Sequence, residues 1–424
     1  MTGPAALEDL LRIEAPYVLS ALVRRFGRFE TAEDAVQEAL LDASVQWARD
    51  GVPENPRSWL TRIGYRRMVD LLRSEQAAHR RELQVGVTDA VAPAGPAAAT
   101  DDSLTLLLLC CHPALSRTGQ VALTLRAVGG LTTAEIAHAY GVPETTMGTR
   151  ISRAKQTLRK AGARFAPPEG AELAERIGAV LDVLYLAFNE GYTATAGADL
   201  GRVDLARESI RLTRMLVRIA PGEPEAAGLL ALMLLTEARR PARTSAELGL
   251  VPLAEQDRTQ WDRALVDEGL AVLAEVWRPD GPGPFRLQAA IAAVHARAES
   301  AANTDWREIL GLYLLLERTL PTAPVRLGRV VAAAHAFGPA VGLRLLDELD
   351  AEHGLAGDPL TAQRVLAVRA HLLDQRHDPA AAAQFRAAAD LTANEAERDY
   401  LLRRADQARA DQARADQTRV IVDS

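Results

Sequence analysis

The sequence has few of the residues that mark many function classes. It has only two cysteines, Cys110 and Cys111. They are adjacent, so they cannot build a disulfide framework, and a reducing cytoplasm is the expected setting. Lysine is nearly missing: Lys155 and Lys160 are the only two among 49 basic residues, so arginine carries the positive charge. Aromatic residues make up 4%. No apolar run reaches the roughly 18 residues of a membrane span, and no membrane partner is expected. The N-terminal stretch MTGPAALEDLLRIEAPY has early acids and no basic leader, unlike a signal peptide. The chain contains no glycine-rich phosphate loop, no paired-histidine zinc motif and no nucleophile elbow, so an enzyme is not expected. Cys110, Cys111 and His112 are the nearest thing to a metal set. Three consecutive residues rarely converge on one ion, so they are read as core thiols beside the helix-breaking Pro113; no metal and no cofactor are expected.

What is present is alanine, leucine and arginine in helical periodicity, which predicts an all-α chain. The length of 424 residues suggests two to four domains. Net charge is −7, but it is unevenly spread: residues 1–169 hold 20 Lys/Arg against 19 Asp/Glu, and the rest holds 29 against 37. Arg57–Arg81 has seven arginines against Asp70 and Glu75, and Glu144–Arg164 has six cations against Glu144, each net +5. Two local basic stretches in a near-neutral half fit either two phosphate-binding footprints or two solvated helix faces.

Along the chain, residues 4–29 read as a helix. A second follows Thr31 as N-cap, burying Ala35, Val36, Ala39, Leu40, Ala43 and Trp47. The loop 50–56 (DGVPENP) leads to a helix over 57–82 that buries Trp59, Leu60, Ile63, Met68, Leu71 and Leu72. Residues 83–102 lose all periodicity and read as an acidic flexible linker. Helices resume over 103–165. From 170 to 404 every segment reads as helix, broken by Gly and Pro about every 35–40 residues, which predicts a solenoid resembling tetratricopeptide repeats. The tail 405–424 repeats the pentad ADQAR; it extends the last helix or frays, and fraying is expected.

The most specific local pattern is 130–159, GLTTAEIAHAYGVPETTMGTRISRAKQTLR. Thr132 and Glu135 have capping-box spacing. Gly141 sits where a tight turn needs positive φ, and Pro143 suits the first turn of the next helix. Met147 and Ile151 face inward, leaving Thr145, Thr146, Thr149 and Ser152 outward among Arg150, Arg153 and Lys155. That is a helix-turn-helix whose second helix offers short polar groups for base edges and cations for phosphates.

These residues carry a resemblance. Ala32–Ala43 (AEDAVQEALLDA) with Trp47, Pro56–Arg73 (PRSWLTRIGYRRMVDLLR) and Gly130–Arg159 resemble regions 2 and 4.2 of extracytoplasmic-function (ECF) sigma factors of the sigma-70 family. The segments CCHPAL, YLAFNEGY, GPGPFRLQAAIAAVH and DWREILGLY resemble the subgroup with a fused C-terminal tetratricopeptide-like domain. The resemblance implies an alternative sigma factor that binds core RNA polymerase and directs transcription initiation at promoter DNA. It implies region 2 over 1–82 and region 4 over 103–165. Asp34, Gln37 and Glu38 would meet the clamp coiled coil of the β′ subunit, with further contact to the β subunit. Asn55, Arg62, Tyr65, Arg66 and Arg67 would hold the −10 element. Glu144, Thr145, Thr146, Thr149, Arg150, Ser152 and Arg153 would read the −35 element. Gly148 departs from the pattern, since many members carry a longer polar or basic residue there.

The alternative is a helix-turn-helix transcriptional regulator that is not a sigma subunit, and that would usually dimerise on a palindrome. A pure scaffold accounts for 170–424 but leaves both basic stretches unexplained. The acidic C-terminal part is expected to be regulatory, either covering the basic sigma regions in an intramolecular contact or bracing them against polymerase.

Overall fold

The structure, a computed structural model, describes residues 4–83, 102–140, 142–166, 168, 170–193, 203–245, 249–278, 281–359 and 361–422. The linker read over 83–102 therefore lies almost wholly outside the described residues, and so does Gly141. The chain divides into two units, 1–187 and 188–424, and the division falls inside a helix.

The first unit opens with α1 (Pro4–Phe26), α2 (Phe29–Asp50) and α3 (Pro56–Leu83). Gly27, at φ +68°, closes α1 three residues before the sequence reading ends it. Only glycine takes that conformation without strain, so α2 begins at Phe29 and Thr31 is a buried residue inside it rather than its cap. The three helices share a core of Val18, Leu19, Leu22, Ala35, Val36, Ala39, Leu60 and Met68, each at most 2% exposed. Gly64 of α3 lets α1 come close: a Cβ there would lie 3.1 Å from Leu22 Cδ1.

A second cluster follows: α4 (Ser103–Cys110), α5 (Arg117–Ala127), α6 (Thr133–Ala139) and α7 (Glu144–Lys160). α4 buries nearly every side chain, because α1 packs on it as well as α5. Its last carbonyls are capped from outside, since Gln120 Nε2 donates to Cys111 O and His112 O, both at 3.1 Å. Pro143 is the N-cap of α7, extended at ψ 144°, rather than its first helical residue. α8 (Ala171–Tyr192) begins within this unit, where Arg117 pairs with Asp182 at 2.6 Å.

The second unit is a succession of helices: α9 (Val203–Ile219), α10 (Pro224–Glu237), α11 (Arg263–Val276), α12 (Pro284–Arg297), α13 (Trp306–Thr319), α14 (Ala323–Phe337), α15 (Pro339–His353), α16 (Ala362–Asp374), α17 (Ala381–Leu391) and α18 (Glu395–Val422). α10 is apolar on all sides and buried among α9, α11 and α12. α12 packs chiefly on α10, and from α13 onward each helix packs chiefly on the ones before and after it. The all-helix reading misses one feature. Between α10 and α11 the chain forms a two-residue antiparallel pair, β1 (Thr244–Ser245) with β2 (Gly249–Leu250). This segment runs alongside the stack, where Leu250 packs against the core shared by α16, α17 and α18. The fraying expected of the ADQAR tail is corrected, because α18 continues through it. Ala405 is fully buried with Phe385 and Leu401, and Asp406 pairs with Arg386 at 2.7 Å. The start of the repeat thus joins a core, through Ala405 and in part Ala408, and the pentads have good intrinsic helix propensity.

Cys110 and Cys111 are both free and fully buried, and burial pushes the Cys111 thiol up to about 12. At pH 8 only about 1 in 10⁴ such thiols is ionised. A colorimetric disulfide reagent should therefore label neither cysteine in the native protein within minutes, and both in urea. Fast labelling of the native chain would contradict this packing.

Candidate nucleic-acid interface

The helix-turn-helix forms as its spacing requires. Thr132 Oγ1 accepts from Glu135 N at 3.1 Å, and the Glu135 carboxylate accepts from Thr132 N at 2.6 Å. The turn is held by Val142 N donating to Ala137 O at 3.0 Å. Met147, Ile151, Ala154 and Leu158 form the inner stripe of α7. Glu144, Thr145, Thr146, Thr149, Ser152 and Arg153 are exposed, and Arg150 is half-buried. The Thr149 hydroxyl donates to Thr145 O at 2.8 Å, which leaves its lone pairs outward.

On α3 the candidate residues separate into distinct roles. Arg62 and Arg66 are exposed. Arg67 is held by α2: it donates to Asp42 at 2.7 Å and lies 3.5 Å from Glu38, and the Asp42 bond raises its basicity. Tyr65 is half-buried, its ring 5.3 Å from that of Phe26. Asn55 caps α3, accepting from Ser58 N at 3.0 Å, with Pro56 opening the helix. Trp59 packs edge-on against Trp47 at 5.2 Å. On α2, Asp34 is exposed while Gln37 and Glu38 are half-buried.

One set of residues was not foreseen from the sequence. Glu33, 1% exposed, sits on the buried stripe of α2 three residues before Val36. One of its oxygens accepts from Arg126 Nε at 2.9 Å and the other from Lys155 Nζ. Arg126 is on α5 and Lys155 on α7, so one carboxylate joins the first helical cluster to the second. Lys155 is also 3.6 Å from Asp34. Loss of solvent on its α7 side lifts the Asp34 carboxyl above the usual range; Lys155 opposes the shift and Glu33 adds to it. Flanking pairs extend the seam, with Arg12 to Glu135, Arg24 to Asp102 at 2.6 Å and Arg159 to Glu30 at 3.5 Å. Glu30, Glu33 and Asp34 line one side of a polar cleft, and Gly148, Ser152 and Lys155 of α7 line the other. The sequence signal available was an acid on an apolar stripe, which calls for a cationic partner elsewhere in the fold.

Two short helical clusters with these faces match known families in the same order. The sigma-70 region 2 family matches residues 10–78, and the sigma-70 region 4 family matches residues 105–158. The ECF RNA polymerase sigma factor SigK of Mycobacterium ulcerans (strain Agy99) is 31% identical over 151 residues, 34% of this chain and 77% of that protein. The chain belongs to the sigma-70 family. The ECF RNA polymerase sigma factor SigJ of Mycobacterium tuberculosis (strain ATCC 25618 / H37Rv) is 28% identical over 224 residues, 49% of this chain and 69% of that protein. The similarity also extends beyond the sigma regions. Uncharacterized protein R00370 of Rhizobium meliloti (strain 1021) is 41% identical over 364 residues, 82% of this chain and 86% of that protein. Residues 176–277 match a family of unknown function, DUF6596. No solved structure matches the chain.

In sigma terms, α1–α3 are region 2, α4–α7 are region 4, and Glu33 joins them. Removing the shared carboxylate leaves Arg126 without its acid and Lys155 with only the more exposed Asp34, and breaking a buried pair from one side costs about 3–5 kcal/mol. Glu33→Ala should lower the stability of the first unit by about 3 kcal/mol in urea unfolding, while Glu30→Ala, at the rim, should have little effect. Equal effects from the two substitutions would remove Glu33 from its central position.

Proposed function

We propose that this chain is an alternative, ECF-type RNA polymerase sigma factor of the cytoplasm, with residues 188–424 acting as a fused regulatory domain built like a tetratricopeptide array. The observation that carries the reading is the exposed row of short polar groups and Arg153 on α7, together with the exposed Arg62 and Arg66 of α3. Polar groups at the start of a recognition helix suit the base edges of a −35 element, and the α3 arginines suit the phosphates of a −10 element. Asp34, Gln37 and Glu38 would meet the clamp coiled coil of β′, an acidic face suited to a basic partner, with the β subunit as a further contact. No described helix is long and apolar enough to cross a membrane.

The seam at Glu33 sets a condition on this function. The −10 and −35 elements are about 25 base pairs apart, roughly 80 Å of duplex. Region 2 and region 4 touch directly through Glu33 and Lys155, so they must part to reach both elements at once. The acids of α2 also repel phosphate from the α7 side of the cleft. Docking of α2 on polymerase would free Lys155, and the segment 83–102 is long enough to let the regions separate.

Run-off transcription with purified core polymerase on genomic fragments is the direct test: discrete transcripts should appear only when the protein is added. On a promoter found this way, Arg66→Ala should reduce open complex and lower the salt dependence of binding by about one phosphate contact. Arg67→Ala should act mainly through stability, since Arg67 is committed to Asp42. A truncation after Tyr192, which keeps α8 whole, should change the transcript yield. The proposal fails if the protein neither binds core enzyme nor supports initiation, or if it occupies DNA only as a polymerase-independent dimer.

A further inference from the structure

Within the second unit, α12, α13 and α14 and the segment preceding α11 line a half-open cavity of about 490 Å³. That volume is ordinary for a small-molecule site. Its wall is mostly apolar, from Trp306, Ile309, Tyr313 and Val331. Gly328 gives the Tyr313 ring its place, because a Cβ there would fall 2.4 Å from Tyr313 Cζ. Trp306 stacks on His335 at 3.9 Å and meets His295 edge-on at 5.2 Å.

Two polar groups in this wall lack partners within the protein. His295 is 9% exposed, and its Nδ1 is buried with no hydrogen bond. Arg258 donates through its terminal nitrogens to His295 O, Ala298 O and Thr304 Oγ1, but its Nε is buried and unpaired. The Trp261 ring, 5.0 Å from the guanidinium, also has an unpaired buried nitrogen. Buried polar atoms in native proteins almost always find a partner, so two unpaired ones on residues that line the same cavity need an explanation. Charge gives the sign of the missing group. Among the described salt bridges none neutralises Arg258, and the neighbouring Asp257 is committed to Thr259 and Gln260. Arg239 adds positive potential: with burial, it lowers the pKa of both Arg258 and His295, the latter to about 4. His295 is therefore neutral near pH 7 and contributes a hydrogen bond, while Arg258 contributes the charge.

We propose that this cavity is a binding site for a small organic carboxylate with an apolar or aromatic body. Its anionic head would be held by Arg258 Nε and His295 Nδ1, and its body would lie among Trp306, Ile309, Tyr313 and Val331. A carboxylate accepts from Arg258 and from the Nδ1–H tautomer of His295 and neutralises the cation, whereas a cationic ligand meets two arginines and a neutral one leaves the charge uncompensated.

The test uses the full chain with two probes of equal shape, 2-naphthoate and its neutral amide, 2-naphthamide. Calorimetry and tryptophan fluorescence should report one naphthoate per chain, with Trp306 quenched and the amide bound about tenfold more weakly. Arg258→Gln should bring naphthoate down to the affinity of the amide. Val331→Phe should fill the cavity and abolish binding of both. Arg258→Lys serves if the glutamine variant does not fold; it keeps the charge, loses the Nε geometry and should weaken naphthoate while still preferring it to the amide. Thermal melting close to the parent protein certifies each variant. The proposal is overturned by no saturable binding at millimolar naphthoate or by equal affinity for acid and amide. Unchanged binding in folded Arg258→Gln would also overturn it, as would a self-associated chain that excludes naphthoate because a second copy fills the cavity.

Discussion

A single buried carboxylate organises the first unit. Glu33 is surrounded by apolar side chains of α2 and loses its water on folding, a cost that only close, well-formed charge partners offset. Arg126 and Lys155 supply them from two different helices of region 4. Lys155 has only the more exposed Asp34 as a second acid, at 3.6 Å, and Arg126 has no other acid among the described ion pairs, so the three groups depend on one another, and the two sigma regions stay together while the three remain joined. Because the cluster is buried, salt should weaken it less than the rim pair of Arg159 with Glu30.

This seam explains why individual helices were readable from the sequence while their association was not. The capping box of Thr132 and Glu135, the inner stripe of Met147 and Ile151, and the order of helices all follow from local spacing, and the structure contains them. Glu33 was passed over because an acid in an amphipathic helix is normally solvated, and its partners lie 93 and 122 residues away. Arg67 looked like a neighbour of Arg66, but helical geometry points it at Asp42 instead. Asn55 was read for base contact from its loop position, and the onset of α3 at Pro56, the last residue of that motif, also gives it a capping role. Pro143 caps α7 from outside because its extended ψ already ends the turn.

In the second unit, punctuation by Gly and Pro revealed a helical array but not how its parts interlock. The pair at Thr244 and Leu250 has no strand signal, since two residues cannot show a period; the packing of Leu250 against α18 holds it. The ADQAR repeat shows the opposite effect. Low complexity suggested fraying, but Ala405 and Ala408 at the start of the repeat found a core to join, and the helix runs on from them. The cavity beside His295 was invisible for a related reason: its donors come from separate helices and from the segment before α11.

The central claim is that Glu33 keeps region 2 and region 4 together in the free protein and that polymerase separates them. Spin labels at Val45→Cys and Gln156→Cys test it, since both positions are exposed and the native thiols are buried. Val45 is twelve residues, about 18 Å of helix, from Glu33. Pulsed electron resonance should give one narrow distribution below about 40 Å in the free chain, broadened by Glu33→Ala and shifted to longer distances on addition of core polymerase. A broad distribution in the free parent protein, or one that polymerase leaves unchanged, would contradict the account.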